Sequence, residues 1–182
     1  MIGRVRIDGL NAVRMARGVS VDVTLKDKTG AILATVRDRI QSIDPNATYH
    51  YAVTKTVTGG RVASIAVKAE AASFLFLSTP VMHHVTLESI RHEVRTDGTY
   101  LFATVKNGYD CPISGLTVHY QYLAESKKPL GGGNAWLLER LEAGAEKEIS
   151  AHIAVPVSNI AEVAYSVDFD ALILVADEGE TT

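Results

Sequence analysis

Hydrophobic and polar residues alternate along several stretches of the chain, and this alternation predicts β-strands. In residues 19–26, Val or Leu occupies every odd position and a polar residue every even position. A period of two places the apolar side chains on one face of a strand. Residues 27–30 follow as a hairpin turn in which Gly30 can adopt a positive φ. No apolar pattern with the helical period of 3.6 persists for three turns, so the sequence predicts an all-β fold.

Further strands are predicted throughout the chain, over residues 5–10, 32–43, 49–53, 62–77, 85–94, 100–105, 116–122, 136–141, 149–155 and 163–174. The apolar parity switches near residues 88–89, which predicts a β-bulge there. The glycine triplet 131–133 is predicted to form a hairpin tip. Many short strands separated by turns are typical of an antiparallel β-sandwich.

The two halves of the chain repeat one pattern. Residues 18–25, followed by a turn and residues 43–51, correspond to residues 115–122, followed by a hairpin and residues 141–149. A repeat of about one hundred residues has the size of a small domain. We therefore predict two tandem antiparallel immunoglobulin-like β-sandwich modules.

The predicted segments are a first module at 1–79, a second module at 80–176 and an acidic flexible tail at 177–182. The strand predicted over residues 85–94 has no counterpart in the first module. Either the given sequence lacks the first strand of this module, or the first sheet has an open edge. An open edge accepts a strand from a neighbour. The residues of this predicted partner edge are Val5, Ile7 and Leu10.

Composition and charge indicate the class of protein and the kinds of molecule that it can bind. The chain is 47% hydrophobic and 21% charged, which indicates a globular protein with a core. A net charge of −3 gives no positive field for nucleic acid. Residues 1–78 carry a net charge of +5 and the remainder −8. This asymmetry reflects either divergence of the copies or head-to-tail attraction between modules or between molecules. We find neither a predicted membrane span nor the apolar core of a signal peptide.

Several motifs resemble those of the FxLYD-type domain, a bacterial β-sandwich module. Residues 23–27 resemble its core motif, with Val and Lys replacing Phe and Tyr, and residues 43–46 resemble its Pro-Gly turn, with Asn replacing Gly. Residues 103–107 resemble its strand that ends in Asn, and residues 141–144 resemble its late turn. Other immunoglobulin-like modules, including water-stress proteins, are similar in the same features. The resemblance implies an envelope-associated or secreted bacterial accessory protein without catalytic residues.

Histidine clusters give a weak indication of metal binding. His83, His84, Glu88 and His92 are close in sequence. In an unbroken strand, however, His84 and His92 lie roughly 26 Å apart, too far to share a zinc ion. Only His83 or His84 with a partner from elsewhere in the chain could form a metal site. We therefore predict no metal, and we also predict no cofactor. The residues predicted instead on solvent-exposed strand faces are His50, His119, His152, Asp168 and Asp170.

Catalytic motifs are absent from the sequence. It contains no Gly-x-Ser-x-Gly motif, and the single cysteine, Cys111, has no cation nearby in the sequence, so we predict no enzyme.

We expect a non-catalytic structural or protein-interaction module that uses sheet edges or loops, with a protein partner or a second copy in a homodimer. The alternative is a small-ligand or carbohydrate-binding module built on Trp136 and the loop at 126–134. The candidate ligand-binding residues are Trp136, Asn134 and Tyr109.

Overall fold

The computed structural model describes residues 2–5, 14–43, 48–52, 55, 57–76 and 85–169, and these residues form an all-β fold. The strands are β1 (Ile2–Val5), β2 (Arg14–Lys26), β3 (Ile32–Ile43), β4 (Tyr49–Ala52), β5 (Ser64–Phe76), β6 (Val85–Arg95), β7 (Gly98–Asn107), β8 (Leu116–Leu123), β9 (Pro129–Leu137), β10 (Glu146–Ile153) and β11 (Glu162–Asp168). The predicted all-β class is confirmed. In this described part of the chain, no helix has the length and hydrophobicity needed to cross a membrane.

The chain divides into two compact units. The β2 unit comprises residues 5–48 and 54–81 and contains β2, β3 and β5. The β8 unit comprises residues 1–4, 49–53 and 82–182 and contains β4 and β6 to β11. The sequence assigned residues 49–53 to a continuous first module, whereas the structure groups them with the second half. The predicted boundary between residues 79 and 80 and the acidic tail lie outside the described residues.

The β2 unit contains one antiparallel sheet with the strand order β3–β2–β5. The turn between β2 and β3 depends on Asp27, whose Oδ1 accepts hydrogen bonds from the backbone N–H of Thr29 at 2.8 Å and of Ala31 at 3.0 Å. Gly30 has a φ of +88°, a left-handed conformation that glycine adopts without a steric penalty. The predicted hairpin is therefore confirmed.

The β8 unit contains two antiparallel three-stranded sheets, with the orders β10–β7–β6 and β11–β8–β9. Alternate side chains of each sheet point inward, and one hydrophobic core contains residues of both sheets. Val105 of β7 and Val118 of β8 are fully buried in this core. The two sheets therefore face each other, as the alternating pattern predicts for a two-layered β-fold.

A second core in the β8 unit contains Leu101, Tyr120, Tyr122 and Val157. The rings of Tyr120 and Tyr122 meet edge to face, with their centroids 5.4 Å apart. Burial raises the pKa of Tyr120 to about 12, and burial also raises the pKa of Tyr122. Both side chains are therefore neutral phenols at pH 7, and they fill space in the core.

The glycine triplet does not form a hairpin tip, so that prediction is wrong. Residues 131–133 lie inside β9, and the preceding turn is closed by a hydrogen bond from the Ala124 N–H to the Lys128 carbonyl at 3.0 Å. A Cβ added to Gly131 would lie 2.8 Å from a methyl carbon of Val157. The glycines therefore allow neighbouring side chains to pack directly against the backbone of β9.

The predicted bulge in β6 is confirmed. The register between β6 and β7 shifts between Glu88 and Arg91, and Ser89 has a φ of +51°. Such a residue bends the strand and disrupts the ladder locally. Beside the bulge, β6, β7 and β10 border a groove with a volume of about 410 Å³.

Candidate functional site

The edge strand β5 is the most extensively exposed strand of the β2 unit. Every residue of β5 except Ala71 is exposed. Among the described strands, β5 has β2 on one side and no strand on the other. Its exposed large hydrophobic side chains are Ile65, Val67, Phe74, Leu75 and Phe76. An edge strand presents unpaired backbone N–H and C=O groups, and such an edge is a template for pairing with another chain.

The usual protections of a sheet edge are largely missing from β5. The strand contains no proline, and it pairs with β2 without a register shift. Its only charged residues are Lys68 and Glu70, which form an ion pair with 2.8 Å between Nζ and Oε1. The hydrogen bond to Glu70 raises the pKa of Lys68. Edge strands normally avoid association through proline, bulges or dispersed charges, so β5 is suited to accept a partner strand.

The sequence predicted a different partner edge, at Val5, Ile7 and Leu10. Val5 ends β1, which pairs with β4 in a two-stranded sheet. Ile7 and Leu10 lie outside the described residues. Sequence analysis identified the apolar run at 62–77 as a strand, but hydrophobicity alone does not reveal that its side chains remain exposed.

A polar layer lies on the β11–β8–β9 sheet, on the face opposite its core. The β4 strand lies over this face, and its backbone is held there by side chains. Gln121 Nε2 donates a hydrogen bond to the Tyr51 carbonyl at 2.9 Å, and the His50 N–H donates to Ser166 Oγ at 2.8 Å. The ring of His50 also approaches Gln121, with 3.3 Å between Nδ1 and Oε1. These contacts satisfy polar groups that are buried when β4 covers the sheet.

His119 is buried within this polar layer, so its predicted exposure is wrong. Its side chain is only 7% exposed. The ring of Tyr49 packs edge-on against it at a centroid distance of 5.2 Å, and the ring of Tyr51 stacks at 6.2 Å. The aromatic side chains of β4 therefore cover the polar face of β8.

The other polar residues that were predicted on exposed faces differ in how exposed they are in the structure. Asp168 is buried, so its predicted exposure is also wrong. His50 is half-buried, and His152 is exposed as predicted. Asp170 lies outside the described residues. Alternation assigned Asp168 to the outer face of its strand correctly, but in the folded unit this face is covered.

The candidate ligand-binding residues occupy two places. Trp136 is 66% exposed on β9. Asn134 precedes it by two residues, so both side chains lie on the same face of the strand. Tyr109 lies in the loop after β7, where it packs against the hydrophobic core and its ring centroid is 5.7 Å from that of Phe169. The structure therefore places Trp136 and Asn134 together and Tyr109 in the core packing.

Potential metal ligands and reactive groups are dispersed. Among the described residues, no group of three or more His, Cys, Asp or Glu side chains could hold a metal ion. His83 and His84 lie outside the described residues, and Cys111 is half-buried.

No protein-family model matches this chain, and no curated protein is significantly similar to it in sequence. The resemblance to FxLYD-type domains therefore stays a prediction.

Proposed function

We propose that this chain is a non-catalytic protein-interaction module that binds a partner by adding a strand to the β5 edge. The observation that carries this proposal is the exposure of β5: Ile65 and Val67 are 50% and 57% exposed in a regular edge strand. Strand addition gains affinity from main-chain hydrogen bonds and specificity from alternate side chains. The β5 edge offers both.

We further propose that the β8 unit is an immunoglobulin-like sandwich of the FxLYD type and that the β2 unit is a partial second copy. Two three-stranded sheets that share one core support the first part. For the second part, β2 and β8 are both central strands, and each is followed directly by its hairpin partner. Gly18 and Gly115, which open the repeated stretches, both have a positive φ. A bacterial envelope-associated or secreted protein follows from this family assignment.

A strand peptide tests the proposed function. We expect a fluorescein-labelled peptide of alternating Thr and Val residues to bind the wild-type protein and to raise the anisotropy of its fluorescence. Val67→Lys should weaken this binding about tenfold, because a lysine on a strand edge opposes pairing. Ile32→Lys is the matched control, because Ile32 is 64% exposed on β3, at the other edge of the same sheet.

Two outcomes would contradict the proposed function. In the first, the Val67→Lys and Ile32→Lys variants bind the peptide equally well, which would exclude β5 as the docking element. In the second, no peptide binds and the wild-type protein also stays monomeric at every concentration. Measuring peptide binding at nanomolar protein concentration prevents a self-associated strand from masking the edge.

A second candidate function is ligand binding at Trp136, because a tryptophan with 66% of its surface exposed is available for stacking on a sugar ring or another flat ligand. Trp136 is the only tryptophan, so its fluorescence reports on this site alone. We expect emission near that of free indole, shifted to shorter wavelength by a ligand in a panel of neutral oligosaccharides. Asn134→Ala should reduce the response, and Leu138→Ala, a change at a neighbouring exposed side chain, should not. An unchanged spectrum across the panel would exclude this function for these ligands.

A further inference from the structure

The charged residues of β5 are arranged symmetrically about Ala69. Lys68 precedes Ala69 and Glu70 follows it, and the other residues of the strand are uncharged. The side chains of Lys68 and Glu70 are 66% and 63% exposed. An antiparallel copy of the strand presents Glu, Ala and Lys where the first copy presents Lys, Ala and Glu. The β5 edge is therefore complementary in charge to itself.

We propose that β5 pairs antiparallel with β5 of a second copy of this chain, about a two-fold axis that passes through Ala69. This inference rests on the proposed function and names the partner of the same edge. In a two-fold interface, the same surface of both copies forms the contact. Lys68 of each copy then lies directly opposite Glu70 of the other. Opposite charges in directly facing positions stabilise an antiparallel strand pair.

The neighbouring registers are less favourable. An axis at Lys68 would place the two Lys68 side chains opposite each other, and an axis at Glu70 would do the same for the two Glu70 side chains. Like charges in directly facing positions destabilise the pair. An axis between two residues would set the buried face of one sheet beside the outer face of the other, since side chains alternate with a period of two. The register centred on Ala69 avoids both penalties.

The sizes of the side chains fit the same register. Ile65 lies opposite Ser73 of the second copy, and Val67 lies opposite Ala71. Each of these two exposed side chains thus faces a small residue, which leaves room for it across the new strand pair. On the other face, Ala66 lies opposite Ala72 and does not hinder the pairing. Self-pairing would therefore bury part of the apolar surface of β5 and satisfy its backbone edge.

A charge-reversal experiment tests the register. Sedimentation of the wild-type chain over a range of concentrations should show a reversible dimer. Lys68→Glu should weaken the dimer about tenfold, because an introduced Glu faces Glu70 in both symmetry-related positions. Glu70→Lys should weaken it similarly. An equimolar mixture of the two variants should regain the wild-type affinity, because each variant supplies the charge that the other lacks.

The controls distinguish loss of pairing from loss of folding and from failure of the proposed function. Both positions are exposed, so at a concentration where all three proteins are monomeric the variants should melt at the wild-type temperature. A wild-type chain that is monomeric throughout but still binds the strand peptide at β5 would overturn self-pairing and leave the proposed function intact. A dimer that neither charge reversal weakens, or that the mixture fails to restore, would also overturn the Ala69 register.

Discussion

Replacing Asn107 with Asp is expected to lower the free energy of unfolding of the β8 unit by about 3 kcal/mol. Asn107 is fully buried at the end of β7. Its Nδ2 donates hydrogen bonds to the carbonyl oxygens of Cys111 at 2.9 Å, Leu141 at 3.1 Å and Glu142 at 3.1 Å. Its Oδ1 accepts a hydrogen bond from the Tyr109 N–H at 3.0 Å. One amide side chain therefore fixes two loops.

Asp has nearly the same shape as Asn, but an ionised carboxylate replaces the donating Nδ2 group with an oxygen that only accepts hydrogen bonds. An aspartate oxygen in place of Nδ2 would face three carbonyl oxygens without a proton to donate. A buried carboxylate that keeps only the Tyr109 N–H as a donor and faces three carbonyl oxygens is costly, because burial removes its hydration. Acidification should recover part of the loss, since protonation restores one donor to the introduced carboxyl. The effect is therefore expected to be larger at pH 7 than at pH 4.

Urea denaturation at both pH values measures this effect. Asn159→Asp is the matched control, because Asn159 is exposed and the same chemical change there should alter stability by less than about 0.5 kcal/mol. Equal losses in the two variants would show that the charge itself, and not the hydrogen-bond network of Asn107, causes the effect. An unchanged Asn107→Asp protein would show that this network contributes little.

Local pattern predicted many of the strands and turns, but the strand predicted over residues 136–141 is wrong, because β9 starts at Pro129 and ends at Leu137. Alternation over residues 19–26 identified the C-terminal part of β2, which begins at Arg14. The Asp27 turn and the bulge near Ser89 were also predictable, because each depends on residues that are adjacent in sequence. The sequence also pointed to Asn107, because residues 103–107 resemble the strand that ends in Asn in FxLYD-type domains. Its role in holding two loops depended on the fold.

The same pattern could not predict which sheet faces are covered by strands that are distant in sequence. Period-two alternation shows which side chains share a face, but it does not show what lies over that face. His119 is buried because β4, about seventy residues earlier, packs against it. Conversely, alternation does not reveal that the apolar side chains of β5 remain exposed. The repeat has the same limit: residues 43–51 end β3 and form β4, whereas residues 141–149 include the start of β10.

Replacing Leu101 with Ala is expected to destabilise the β8 unit by between about 2 and 5 kcal/mol. Leu101 is fully buried on β7 and packs in one cluster with Tyr120, Tyr122 and Val157. The substitution removes apolar contacts and leaves a cavity that two rigid tyrosine rings cannot easily fill.

The near-ultraviolet circular dichroism of the tyrosines should report this loss directly, and urea denaturation should give its size. Leu138→Ala makes the same chemical change at a side chain that is 91% exposed, so it should leave stability within about 0.5 kcal/mol of the wild type. If both leucine variants unfold at the same urea concentration, the cluster around Leu101 is not a stabilising core. If only Leu101→Ala is destabilised, this cluster helps hold the two sheets of the β8 unit together, since Leu101 belongs to one sheet and the tyrosines to the other.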